Sequence, residues 1–175
     1  KILIESKQID DRVASGLYFQ ENVSAQMEIY DLIGKIKKSE PESIKIVLQK
    51  ILLYLKLSKI TIYNKEFELS FMVAKEASDT VDARTGHLNS NYFNYFNEFG
   101  FLHFDNVNVL NSIDGNRYGI YHSNGIASTI EIICKDKKDK IKAFVCYDLY
   151  KPARAFKNET ITQALIWAKM IAEKI

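Results

Sequence analysis

The chain has 175 residues, 47% of them hydrophobic and 12% aromatic, enough apolar material for one sizeable core and cramped for two. Its 24 basic and 22 acidic side chains leave a net charge of +2, which argues against the strongly basic surface of a nucleic-acid binder and gives no reason to expect an acidic partner. Two cysteines are too few for a disulfide scaffold, and no apolar run approaches the roughly eighteen residues of a membrane span or has the flanks of a signal peptide.

Residues 1–21 read as a lead-in linker, with "KILIE" able to be a short strand or the tail of a helix. The opening without methionine and the helical pattern still running at Ile175 suggest a domain cut from a longer protein. From Asn22 to Lys38, the positions Val23, Met27, Ile29, Tyr30, Ile33 and Ile36 form most of a helical stripe. Lys35, Lys37 and Lys38 crowd the last turn, where cations complement the helix dipole. In "SEPES", Ser39 and Glu42 have capping-box spacing and Pro41 falls in the first turn, where its missing N–H costs little, so a second helix begins there. Its buried stripe is Ile44, Val47, Leu48, Ile51, Leu52 and Leu55.

After Leu57 the period changes to alternation. "KITIYN" and "FELSFMVA" predict an antiparallel hairpin turning through Asn64, Lys65 and Glu66. "KEASDTVDARTGHLNS" is polar and reads as a long loop with little core of its own. The rings of Tyr92, Phe93, Tyr95, Phe96 and Phe99 fit a short helix ended by Gly100, followed by a strand over Phe101–Phe104. "GIASTIEIIC" and "IKAFVCYDLY" flank the lysine-rich tip "KDKKDK" as a second hairpin. With the turn centred between Lys137 and Lys138, Cys134 would face Ile141 and Cys146 would face Thr129, too far apart to bond. Asn158 caps a last helix with apolar positions Ile161, Leu165, Trp167, Ala168, Ile171, Ala172 and Ile175. Antiparallel strands between terminal helices predict an α+β sandwich.

The chemistry-bearing residues are sparse. His87, His103 and His122 are scattered without metal-ligand spacing, strand-interior thiols lack the exposed, electropositive setting of a nucleophile, and no glycine-rich phosphate loop exists. No metal is expected. Tyr92, Phe96, His103, Tyr118, Tyr121, His122 and Ser128 bring rings and polar tips to one region of the chain, either lining a small-molecule pocket or completing a core under loops. In "YDLYKPARAFKNET", Pro152 ends the last strand, Phe156 plugs the seam between sheet and helix, and Lys151 and Glu159 are spaced for a bridge; Arg154 is open to a ligand or partner.

Residues Asn22 to Ile175, and most of all the segment from Asn124 onward, resemble a GAF domain, a sensory fold of signalling proteins. The likeness lies in the order of Ser128, the lysine hairpin, Asp148, Arg154, Phe156 and Glu159. It implies one domain over 22–175, a six-stranded antiparallel sheet with the first and last helices on one face, and a loop-covered ligand pocket on the other. Lys151, Arg154, Phe156 and Glu159 would be its structural motif. Tyr150 stands where the cyclic-nucleotide-binding branch carries Asn, and neither cysteine is followed by the histidine of bilin-binding relatives. The chain is most similar to GAF domains placed ahead of GGDEF (diguanylate cyclase) modules in clostridial-type proteins. That likeness implies a cytoplasmic, non-enzymatic regulatory segment, homodimeric through its terminal helices, sensing an unidentified small molecule, with no cofactor, nucleic acid or membrane contact. The alternatives are a ligand-free GAF-like dimerisation module and a GAF-fold methionine sulfoxide reductase, which would need Cys134 and Cys146 close together.

Overall fold

The computed structural model describes residue 20 and residues 22–37, 40–76 and 82–175. The chain divides into two compact units, Lys1–Lys35 and Ile36–Ile175. In the first unit, α1 runs over residues 22–35, and of its expected stripe Ile29 and Ile33 are buried while Val23 and Met27 are exposed. The lead-in segment 1–21, Gln20 apart, lies outside the described residues, as do Lys38 and Ser39.

The second unit starts with α2, Pro41–Tyr54, whose first residue is the proline that needs no N–H partner there. Its N-cap is Glu40, one residue later than the capping-box spacing suggests, and the Glu40 side chain makes no capping bond. The predicted stripe Ile44, Val47, Leu48, Ile51 and Leu52 is its buried face. β1 (Lys59–Tyr63) and β2 (Leu69–Ala74) form the expected hairpin. Asn64 organises its turn, since its Oδ1 accepts the N–H groups of Glu66 and Glu68 at 2.9 Å each.

β3 (Phe101–Phe104), β4 (Ile126–Lys135) and β5 (Ile141–Tyr150) complete the sheet. Its order is β2-β1-β5-β4-β3, with every neighbouring pair antiparallel. The described residues therefore form five strands, where the resemblance implied six. Cys134 pairs with Ala143 and Cys146 with Glu131, a register two residues away from the expected one. The difference arises at the tip, where Asp136 and Lys140 close a longer turn, Asp139 takes a positive φ of 61°, and the register shifts beside Lys135. Gly100 precedes β3 with a φ of 73°, and an added Cβ there would lie 3.0 Å from the carbonyl oxygen of Ile133.

α4, Asn158–Ala172, buries Ala164, Trp167, Ala168, Ile171 and Ala172. Asn158 is its first helical residue rather than its cap; Lys157 holds the cap position. α2 and α4 meet where the Tyr54 and Trp167 rings pack edge to face, 5.5 Å apart. One sheet face, with Ile60 and Ile62 of β1, Ile130, Ile132 and Cys134 of β4, and Val145 and Tyr147 of β5, carries these helices; Tyr147 Oη donates to the Ala164 carbonyl at 3.2 Å.

The opposite face is covered by the segment from Asp82 to Gly125. This segment holds 3-10 turns at Ser90–Phe93 and Val107–Ser112 and a short helix, α3 (Gly115–Ser123), that hydrophobic pattern alone did not predict. With both faces covered, β1 is buried at every residue and β4 at all but Lys135.

Candidate functional site

Alternation along the three central strands fixes what the loop-covered face presents. β1 contributes Lys59, Thr61 and Tyr63, β4 contributes Thr129, Glu131 and Ile133, and β5 contributes Phe144, Cys146 and Asp148, paired in register across the sheet. Two strand-interior carboxylates on a fully buried face need a cation. Buried Lys59 stands beside Asp148 in register, and a second cation comes from the loop expected to carry little core: Arg84 is 0% exposed and lies over that face. Its Nη1 and Nη2 donate to Asp148 Oδ2 and Oδ1 at 2.9 and 2.7 Å, a bidentate fork, while Nε donates to Glu131 Oε1 at 2.9 Å.

Tyr92 and Tyr121 donate their hydroxyls to the same Glu131 oxygen at 2.8 and 2.7 Å, and Thr129 Oγ1 donates to Asp148 Oδ1 at 2.7 Å. Burial works against the Asp148 carboxylate, but the Arg84 guanidinium outweighs it and holds the carboxyl below its usual range. The same exchange holds the Arg84 pKa high, Asp148 overcoming burial. Burial, reinforced by the Glu131 charge, raises both Tyr92 and Tyr121, so these phenols stay protonated as donors. Asp82 anchors the loop that delivers Arg84. Its Oδ1 accepts Tyr63 Oη at 2.5 Å and the Arg84 N–H at 3.0 Å, and Oδ2 accepts the Thr85 hydroxyl.

Beside this network an aromatic cluster closes the face. Phe93 packs edge to face on Phe144 at 5.4 Å, Phe96 meets Phe144 at 5.9 Å, and Tyr63 stacks on Phe144 at 5.7 Å. Above the cluster a cleft of about 350 Å³ opens between residues 87–92 and the start of α3. Asn89, Asn91, Tyr92, Asn116 and Arg117 are among its lining residues. Asp114 caps α3, its Oδ1 accepting the Arg117 N–H at 3.0 Å.

The seven sequence-predicted pocket residues are not brought together. Tyr92, Phe96 and Tyr121 gather on the loop-covered face, Tyr92 at the base of the cleft. Tyr118 and His122 are neighbours on α3, rings 5.1 Å apart, and His122 lines a separate cleft of about 490 Å³ beside Asn106, Ala127 and Lys151. His103 is exposed on edge strand β3, stacked on Phe101 at 6.0 Å. Ser128 points to the helix-bearing side, where Oγ donates to the Asp105 carbonyl at 2.7 Å and accepts the Arg154 N–H at 2.9 Å.

In the motif after β5, Phe156 and Arg154 make structural contacts, and Lys151 and Glu159 do not pair. Phe156 is buried, and its N–H donates to Asp105 Oδ1 at 2.9 Å. Lys151 and Glu159 are exposed and form no ion pair with each other among the described residues, correcting the expected bridge. Arg154 donates to the carbonyls of Leu55 and Lys56 at 3.1 and 3.2 Å, satisfying the end of α2 rather than gripping an anion.

The residues that sequence reasoning missed are Arg84, Asp82, Glu131 and Arg117. Glu131 did carry a signal: a lone acid in "STIEIIC" sits at an interior position of an apolar strand and calls for a cation. Cys134 and Cys146 are both buried and project to opposite sheet faces, and burial pushes the Cys134 thiol up to about 12. A redox pair therefore has no geometry here. Among the described residues no cluster of His, Cys, Asp or Glu fits a metal, and no helix is long and apolar enough to cross a membrane.

No protein-family model matches the chain, and no curated protein matches it. Solved structures do. The GAF domain of an Acinetobacter phosphoenolpyruvate-protein phosphotransferase superimposes with a TM-score of 0.63 at 11% identity, over 86% of this chain and 90% of that one. The GAF domain of a putative sensor histidine kinase from Pseudomonas syringae pv. tomato gives 0.59 at 10% identity, over 90% and 89%. The far-red absorbing dark state of JSC1_58120g3 with bound biliverdin IXa gives 0.67 at 12% identity, over 86% and 97%. The chain thus has a GAF-like α+β fold.

Proposed function

We propose that this chain carries a regulatory, small-molecule-sensing domain of the GAF type in a bacterial signal-transduction protein. The ligand enters the cleft between residues 87–92 and the start of α3. The observation that carries the reading is the position of this cleft, over the loop-covered face of a GAF-like sheet and opposite the face that holds α2 and α4. The terminal helices pass occupancy to an output of diguanylate cyclase type and hold two copies together; the sequence likeness to domains ahead of GGDEF modules supports this part. Synthesis of cyclic di-GMP by the full-length protein, measured with and without a ligand, tests the output.

A thermal-shift screen with nucleotides, amino acids, organic acids and tetrapyrroles tests the sensing. A ligand that binds only the folded state at a hundred times its Kd adds about 2.7 kcal/mol of stability. The expected result is a saturable rise in Tm for one chemical class; no rise with any class would overturn the sensing role. One observation favours a second reading, a ligand-free dimerisation module. Arg84 and the rings around Phe144 already fill the sheet face beneath the cleft. That reading predicts a dimer in solution whose Tm no compound raises.

A further inference from the structure

Arg117 is 2% exposed, yet among the described residues no carboxylate lies within ion-pair distance of it. Its guanidinium lies over the rings of Tyr92 and Tyr95, 4.0 and 5.2 Å from their centroids, and Nη2 donates to the Tyr92 carbonyl. Nη1 is buried and has no hydrogen-bond partner. Buried charges are as a rule paired, because a ring face and one carbonyl replace only part of the lost hydration. Arg84, on the same loop-covered side of the sheet, illustrates the rule with its two carboxylates.

Arg117 also lines the cleft of about 350 Å³, at the first turn of α3, a helix whose N-terminus adds partial positive charge. Asp114 lines the cleft too, but its Oδ1 is engaged by the Arg117 N–H in the helix cap. The amides of Asn89, Asn91 and Asn116 surround the opening; of these, Asn89 is committed through Oδ1 to the N–H groups of Asn91 and Tyr92.

We infer that the cleft takes a small molecule bearing an oxyanion, carboxylate or phosphate, which pairs with the Arg117 guanidinium while its polar remainder meets the asparagine amides. The inference rests on the sensing role proposed for this cleft and gives its ligand a charge. A guanidinium binds such groups through parallel N–H donors, which makes the pairing selective for a planar or tetrahedral oxyanion over a neutral isostere.

The test is a thermal-shift and calorimetric titration of the protein with acetate, succinate and inorganic phosphate, each beside a neutral control (acetamide, succinamide) or chloride at equal ionic strength. At least one oxyanion should raise Tm while its control does not, with carboxylates and phosphate telling the two sources apart. Arg117→Gln should weaken that binding at least tenfold. Asn116→Asp, at an exposed position in the first turn of α3, should weaken it as well by placing a second negative charge in the opening. Equal binding of the oxyanion by the wild type and Asn116→Asp overturns the inference, as does stabilisation by neutral compounds alone. The latter result would leave the sensing role standing. Silence from every compound here and in the wider screen would overturn both.

Discussion

Arg84 sets the energetics of the loop-covered face. It is fully buried with Glu131 and Asp148, so its removal would take the hydrogen-bonded cation from both carboxylates and leave Asp148 only the charge of neighbouring Lys59; breaking such a pair costs about 3–5 kcal/mol. The pH dependence has a definite sign. In the wild type the Asp148 carboxyl is held below its ordinary pKa, so its contribution is complete above that value and is lost as pH falls beneath it. In Arg84→Met, burial is opposed only by the Lys59 charge and the Thr129 hydrogen bond, so the folded-state pKa of that carboxyl rises relative to the wild type. The stability gap between the wild type and the variant therefore narrows as pH falls from about 7 to about 4, because the variant's carboxyl takes up its proton at the higher pH. Urea denaturation of both proteins at these two pH values checks the prediction, and parallel pH profiles would refute the assigned pairing. Of the acids of this network, Asp148 was legible through the resemblance, and Glu131, though missed, left a signal by interrupting an apolar strand. Their partner was not legible, because Arg84 lies 47 and 64 residues away in sequence, in a loop whose composition resembles any solvated connection.

At the scale of elements, the two hairpins, α2 and α4 were legible because period and turn chemistry agree along each. α3 was not, since "GNRYGIYHS" contains two glycines and few apolar positions, and its helix forms by docking Tyr121 and Arg117 under the loops rather than by local preference. The segment after β5 shows how a connection can join elements. Arg154 reaches back to the carbonyls that end α2, Ser128 holds the Arg154 N–H, and Asp105 holds the Phe156 N–H, so three parts of the chain meet there. Arg154→Ala should therefore cost about 1 kcal/mol through the lost carbonyl contacts, and Phe156→Ala about 3–5 kcal/mol through its cavity. Lys151→Ala, at an exposed residue without an ion pair to Glu159, should stay within about 0.5 kcal/mol. Chemical denaturation of the three variants checks this order; a Phe156→Ala protein as stable as the wild type would refute the core role assigned to that ring.

For the whole molecule, the consequence of this sheet is that its two faces do different work with the same strands. β4 and β5 present Glu131 and Asp148 to the loop-covered side and Ile130, Ile132, Val145 and Tyr147 to the helices, so a change beneath the cleft is one residue away from the packing of α4. The outer side of α2 then matters for assembly. Ile46 and Leu53 are one heptad apart, 51% and 69% exposed, and opposite the buried stripe of the helix, the spacing that suits a second copy docking helix to helix. If the proposed homodimer uses this surface, Leu53→Glu should dissociate it, because two carboxylates would face each other or an apolar side chain across the contact. The folding stability of the protomer should change little, since Leu53 contributes almost nothing to the core. Light scattering over a concentration series, paired with thermal unfolding, separates the outcomes. A wild-type dimer that becomes a monomer with little change in protomer stability supports assembly through this face. A Leu53→Glu protein that remains a dimer moves the contact elsewhere, and a wild type that stays monomeric at high concentration ends the dimer proposal.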